Sequence, residues 1–142
     1  MKTLKTIVLS AGAVALWGAS GLYAQTKATA EIPFEFNVQN TTLPAGDYTI
    51  SPASASHALM MIRNVKTRKA VVVLAPDNET EYKGAPDQNV VLFHRIDNRY
   101  FLAEVKTDFV RGHVGASKQE RELASQGNQP VAAVIIPALS VR

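Results

Sequence analysis

Apolar and polar residues alternate along much of the chain after residue 25, as they do in β-strands that bury one face. The longest such run is 28–38, in which every second residue is apolar, and it predicts the first strand. Pro33 lies inside this run and has no amide hydrogen to donate, so we expect the strand to lie at a sheet edge or to carry a bulge. Further strands are predicted at 59–65, 70–75, 90–96, 100–106 and 131–136.

A turn of defined chemistry follows the first strand. In the segment Leu43–Ile50, proline and glycine occupy the second and fourth positions that a type I turn favours. After this turn we expect Tyr48 and Ile50 to point into the core. The order Leu-Pro-x-Gly-x-Tyr is also typical of the tyrosine corner of β-sandwiches, in which the tyrosine hydroxyl bonds back to the preceding turn.

The dipeptide Asp97-Asn98 predicts a tight hairpin. Both residues tolerate left-handed conformations, and they separate two runs rich in aromatic and β-branched residues. In the resulting register Arg95 faces Tyr100 and His94 faces Phe101.

Arg95 and Tyr100 are the candidate binding residues. One face of the predicted hairpin carries Phe93, Arg95, Tyr100, Leu102 and Glu104. On a concave face, an arginine and a tyrosine among aromatic groups would hold an anionic or aromatic ligand. The alternative is that the arginine stacks on the tyrosine and only stabilises the hairpin.

One helix is predicted near the C-terminus. Ser117-Lys-Gln-Glu120 fits a capping box, so the helix is expected at 118–126, before Gly127. A helix this short persists only if Leu123 and Ala124 pack against the rest of the domain. The polar stretch 76–89 predicts a long exposed loop.

The first 24 residues have the three parts of a secretory signal peptide. Lys2 and Lys5 give a cationic start, residues 7–16 are apolar, and Leu22-Tyr23-Ala24 is a candidate cleavage site. A retained membrane anchor is the alternative, but serines and glycines dilute the apolar stretch. We therefore expect a secreted or periplasmic protein with no membrane span after signal removal, in which 25–142 form a single β-rich domain.

Removal of the signal changes the charge balance. The chain has 15 Lys and Arg against 12 Asp and Glu, and the signal contains two of the cations, so 13 face 12 in the remainder. This near balance argues against nucleic acid as a partner. The nearest basic cluster is Arg63, Lys66, Arg68 and Lys69, which we expect to be solvated around a turn.

Recognisable reactive motifs are missing from the sequence. The absence of cysteine excludes disulfides, thiolate zinc sites and iron–sulfur clusters. His57, His94 and His113 are not at metal-ligand spacing, and Ser51, Ser54 and Ser56 lie in a loop of ordinary turn chemistry. Glu79 and Glu81 share the polar loop, where we expect them to be solvated. No cofactor or metal is therefore predicted.

Several segments together resemble an uncharacterised family of small exported bacterial β-rich proteins. They are Ile32-Pro-Phe-Glu-Phe-Asn-Val38, Leu43-Pro-Ala-Gly-Asp-Tyr-Thr-Ile50, Val91–Arg95, Arg99–Leu102 and the helix start at Ser117. The resemblance covers most of the chain after the signal and implies export and a compact β fold. It implies no catalytic residue, because the family has no assigned activity.

These observations predict a mainly β, single-domain antiparallel sandwich or small barrel of about seven strands with one short helix near the C-terminus. The favoured hypothesis is a non-enzymatic domain with a structural or binding role in the envelope or outside the cell. Its partner would be a small molecule, a glycan or an envelope protein. The alternative is a small hydrolase or isomerase that uses His94, Arg95, Tyr100 or Glu104.

Overall fold

The computed structural model describes residues 26–76, 88–128 and 132–141. The predicted signal peptide and most of the polar loop at 76–89 lie outside the described residues. Eleven strands and one helix form within these ranges. The strands are β1 (Lys27–Ile32), β2 (Phe36–Val38), β3 (Thr41–Leu43), β4 (Gly46–Pro52), β5 (Leu59–Asn64), β6 (Ala70–Leu74), β7 (Val90–Ile96), β8 (Arg99–Lys106), β9 (Arg111–His113), β10 (Ala132–Pro137) and β11 (Leu139–Val141), and the helix is α1 (Lys118–Ser125).

The strands form two sheets that face each other as a sandwich and do not close into a barrel. The five-stranded sheet has the order β11-β1-β4-β5-β6. The six-stranded sheet has the order β10-β7-β8-β2-β3, and β9 pairs with β8. Only the short β2–β8 pairing is parallel among the described strands. The predicted mainly β class and the single short helix are confirmed, and the sandwich is the correct one of the two architectures.

The predicted strand at 28–38 is two strands in different sheets. β1 ends at Ile32 in the five-stranded sheet, and β2 begins at Phe36 in the six-stranded sheet. The expectation that Pro33 marks an edge or a bulge is wrong, since β1 lies between β11 and β4 and Pro33 lies outside both strands. Alternation continues across the break because Ile32 and Phe36 face the same core from opposite sheets. The other unpredicted strands, β3, β9 and β11, have three residues each.

An aromatic cluster joins the two sheets. The ring of Phe36 lies 5.1 Å from that of Tyr48 and 5.2 Å from that of Phe93, both in edge-on geometry. Phe34 also makes an edge contact with Phe93, at 5.1 Å, and stacks on Tyr100 at 3.8 Å. Such pairs add to the stabilisation from apolar burial, so this cluster is the centre of the core.

The tyrosine corner predicted from the sequence is present. Tyr48 is fully buried, and its hydroxyl donates to the carbonyl oxygen of Pro44. Burial raises the pKa of Tyr48 above its ordinary value of 10.0, and a side-chain hydrogen bond with Asn64 opposes this rise. Asn64 is itself buried, and its Oδ1 accepts the amides of Lys66 and Thr67 at 3.0 and 2.8 Å. Tyr48 therefore links the turn before β4 to the turn after β5.

Residue 112 has to be glycine because β9 runs against the end of β6. A Cβ atom on Gly112 would lie 2.2 Å from the carbonyl oxygen of Ala75, which is backbone and cannot rotate away. Gly115, three residues later, has no atom within 4 Å of the same position. A methyl group would therefore clash with backbone at residue 112 and meet open space at residue 115, so alanine substitutions at the two glycines form a matched test of this close approach.

We expect Gly112→Ala to lower the free energy of unfolding by about 1–3 kcal/mol, because the two strands must separate to admit the methyl group. The control, Gly115→Ala, should stay within about 0.5 kcal/mol of the wild type. Urea unfolding followed by circular dichroism measures both variants. Equal stability of the two variants would contradict the close approach.

Tyr48→Phe should lower the free energy of unfolding by about 1–3 kcal/mol at neutral pH, because the carbonyl of Pro44 and the side chain of Asn64 each lose a hydrogen-bond partner. Since the folded-state pKa lies above that of the unfolded chain, the phenol contributes stability that is full below about pH 10 and is lost as the pH rises through the folded-state value. The difference between wild type and variant should therefore shrink above about pH 10. Urea titrations at neutral and alkaline pH test this, and a constant difference would contradict it.

Candidate functional site

The hairpin holding the candidate binding residues has the predicted register. Arg95 pairs with Tyr100 and His94 with Phe101, while Asp97 adopts the left-handed φ of 54° that the turn requires. The Tyr100 ring stacks on Phe34, and exposed Arg95 donates from Nε to the carbonyl oxygen of Asp97 at 3.2 Å. Each side chain thus has a contact that stabilises its own region of the hairpin.

Glu104 does not lie on the hairpin face predicted for it. Phe93 pairs with Leu102 but the preceding Leu92 pairs with Glu104, so Ala103 is an extra residue in β8. This bulge reverses the alternation and places Glu104 on the opposite face from Phe93 and Leu102. The expected grouping of Glu104 with Tyr100 is therefore wrong.

The bulge brings charged and polar groups together on the outer face of the six-stranded sheet. Glu104 is fully buried there, opposite His113 of β9, and Lys106 on the same face is 5% exposed. His94 shares this face, and its Nδ1 lies 3.2 Å from Oε1 of Glu120 in helix α1. Within the described residues, no group of three or more histidines and carboxylates has a geometry that would hold a metal ion.

Helix α1 is positioned by this contact and by its N-cap. Ser117 Oγ accepts the amide of Glu120 at 3.1 Å, which confirms the predicted cap. The carboxylate of Glu120 contacts His94 of β7, so the residue that would complete the capping box instead attaches the helix to the sheet. Leu123 and Ala124 are half-buried. The His94–Glu120 pair therefore lies between two layers of the fold, with side chains 17% and 12% exposed.

The outer face of the five-stranded sheet is different, because none of the described elements covers it. It carries a shallow open groove of about 350 Å³ across β1, β4 and β5. We call this the cation groove, and it is lined by Lys27, Thr49, Ser51, Met61, Arg63, Val65 and Arg68.

Three cations meet in the cation groove. Thr49 pairs with Arg63 and Ser51 with Met61 across β4 and β5, and Lys27 precedes the β1 residues that pair with β4. Across the ranges 26–76, 88–128 and 132–141, no carboxylate oxygen lies within 4.0 Å of the charged groups of Lys27, Arg63 or Arg68. The groove is therefore a region of uncompensated positive charge that also offers two hydroxyl groups.

The sequence pattern indicates only part of this groove. Arg63 and Arg68 belong to the basic cluster that was expected to be solvated, while Lys27 lies 36 residues before Arg63 in the chain. The alternation pattern places Lys27, Thr49 and Arg63 at outward positions of their strands. Which strands are neighbours is a property of the register, which the pattern does not supply.

Of the remaining candidates, Ser51 lines the cation groove, and His57 borders an adjoining groove that shares Ser51 and Met61 with it. His57 is exposed in the loop between β4 and β5, and it borders smaller grooves next to Pro52 and Phe109. Ser54 and Ser56 bond to each other in that loop, with 3.0 Å between their hydroxyl oxygens. Glu79 and Glu81 fall outside the described residues.

Comparisons with known protein families, curated proteins and solved structures found no match for the chain. In the part of the chain that the structure describes, no helix is both long and apolar enough to cross a membrane.

Ser117→Ala should lower the free energy of unfolding by about 1 kcal/mol, the usual contribution of an N-cap side chain. The matched control is Ser125→Ala at the other end of the helix, where the hydroxyl is exposed and donates to the carbonyl of Glu122. We expect the control to change stability by less than about 0.5 kcal/mol in chemical denaturation. Indistinguishable effects of the two substitutions would contradict the role given to the cap.

Proposed function

We propose that the protein is an exported, non-enzymatic binding domain that holds anionic groups in the cation groove, in the cell envelope or outside the cell. The observation that carries this proposal is the convergence of Lys27, Arg63 and Arg68 on an uncovered sheet face without a neighbouring carboxylate in the described residues. Export rests on the signal-like sequence of residues 1–24.

The chemistry of the cation groove favours a ligand with repeated carboxylate or phosphate groups. Arginine offers a planar pair of donors that matches either group, and a lysine adds a third charge. Thr49 and Ser51 provide hydroxyls at the floor of the groove, where sugar or peptide groups between the charges can bond. Since the groove is open to water, each contact is screened, and affinity should fall as salt is added.

The hydrolase or isomerase alternative has the His94–Glu120 pair as its strongest feature. Both residues are largely buried between helix and sheet, and their contact holds the helix in place. A position between two packed layers suits a structural pair better than one that exchanges protons with a substrate. Binding is therefore the function that the geometry supports best.

Titration with hexagalacturonate, tripolyphosphate and a neutral glucose hexasaccharide tests this proposal, with calorimetry and amide chemical shifts as readouts. We expect one or both anions to bind, to shift the amides of Thr49 and Ser51, and to bind more weakly at high salt. The two anions distinguish carboxylate from phosphate ligands. The neutral sugar should not bind.

Arg63→Gln should weaken the binding of each anion that binds to the wild type about five- to tenfold. The substitution removes one charge-assisted contact, and exposure to solvent reduces the strength of that contact. Lys69→Gln removes the same charge from the neighbouring turn, outside the groove lining, and should change affinity less than about twofold. Equal losses in both variants would indicate unspecific attraction and contradict the proposal. So would the failure of both anions to bind.

A further inference from the structure

β6 forms an open edge of the five-stranded sheet and lacks the features that protect such edges. Among the described strands it pairs only with β5. Natural edges are protected by short strands, charges, bulges or proline. The edge strands β3 and β11 have three residues each, and β10 carries Pro137. β6 is Ala-Val-Val-Val-Leu, with five residues and no charge, proline or bulge.

The backbone groups facing this open edge can be assigned from the register. Ala75 donates its amide to Ala58 and Asn64 donates to Lys69, which fixes the alternation along the β5–β6 pair. It follows that the amides and carbonyls of Val71 and Val73 bond to β5. Those of residues 70, 72 and 74 point away from the sheet, toward the open edge.

Val72 and Leu74, whose backbone groups face the open edge, have side chains that form an exposed apolar strip on the outer face of the sheet. Val72 is 51% exposed and Leu74 is 54% exposed, and Leu59, paired with Leu74, is 36% exposed. Met61, paired with Val72, continues the strip toward the centre of the sheet. An uncharged edge beside an exposed apolar strip is suited to accept another strand.

The charges flanking β6 favour an antiparallel orientation for a second β6. Lys66, Arg68 and Lys69 precede the strand. An antiparallel arrangement places the basic flanks of the two copies at opposite ends of the paired strands, whereas a parallel arrangement places like charges together. The uncharged strand itself is nearly symmetric about its central residue, Val72.

We propose that β6 pairs with β6 of a second copy of this chain, antiparallel and with a two-fold axis at Val72, so that two five-stranded sheets become one continuous sheet. Val72 faces its own counterpart, and Ala70 faces Leu74 of the other copy. Each of these three pairs exchanges two backbone hydrogen bonds, and the apolar strips of both copies become adjacent. The contact is isologous and closed, so assembly stops at the dimer. This proposal goes beyond anion binding, since β1, β4 and β5 carry most of the cation groove.

Sedimentation velocity of the protein purified from its host, from about 5 to about 500 µM, measures the assembly. We expect a concentration-dependent species of twice the monomer mass. Hydrogen exchange at the amides of residues 70, 72 and 74 should slow as the dimer forms. A monomer at every concentration, or open-ended polymers, would overturn the proposal.

Charge substitutions at Val72 test the position of the two-fold axis. Val72→Lys and Val72→Glu each place like charges face to face in a self-pair, so each variant alone should lose the dimer. A mixture of the two should form a heterodimer, because the charges are then opposite. Val65→Lys is the matched control, since Val65 is 50% exposed in the turn outside β6 and its substitution should leave the dimer intact.

The outcomes are distinguishable from a failure to fold, because Val72 is half exposed and circular dichroism verifies each variant. If folded Val72→Lys still forms the dimer, or if the mixture stays monomeric, the interface is not the one proposed. Arg63→Gln, which tests the cation groove, should leave the dimer unchanged. Loss of one property therefore does not imply loss of the other.

Discussion

The contact of Phe36 with both Tyr48 and Phe93 is the interaction on which the rest of the structure depends. The chain has no cysteine, so packing has to hold the two sheets together without a disulfide. Phe36 belongs to one sheet and Tyr48 to the other, and Tyr48 also fixes the turn at Pro44. The Tyr48 side chain thus contributes both to core packing and to the conformation of the turn that precedes β4.

The two sheets use their outer faces differently. In the six-stranded sheet, helix α1 contacts the outer face through Glu120 and His94, and residues 101–107 of this sheet and the turn after it are buried without alternation. In the five-stranded sheet the outer face remains open and collects both the cation groove and the apolar strip of β5 and β6. The surface available for recognition and the surface that stabilises the helix are therefore on opposite sides of the sandwich.

Local patterns predicted most elements but not their arrangement. The period of two identified the long strands, the capping box identified α1, and Asp97-Asn98 identified the hairpin, because each depends on residues close in sequence. The change of sheet at Pro33 is not visible in the sequence, because the buried residues of β1 and β2 continue one alternation of apolar and polar positions across the break. The bulge at Ala103 and the meeting of Lys27 with Arg63 were missed because strand partners and register are set by packing of the whole domain.

The order in which the strands occur along the chain has a consequence for how the protein folds. β1 lies between β4 and β11, and the pairing of Lys27 with Val141 joins two ends of the described chain. During synthesis, the five-stranded sheet cannot be completed until β11 has been made. Contacts of such long sequence separation slow folding, because the entropy cost of closing a long loop comes before the contacts form. Because β1 lacks its second neighbour until β11 has been made, one edge of β1 stays unpaired and accessible to chaperones until then.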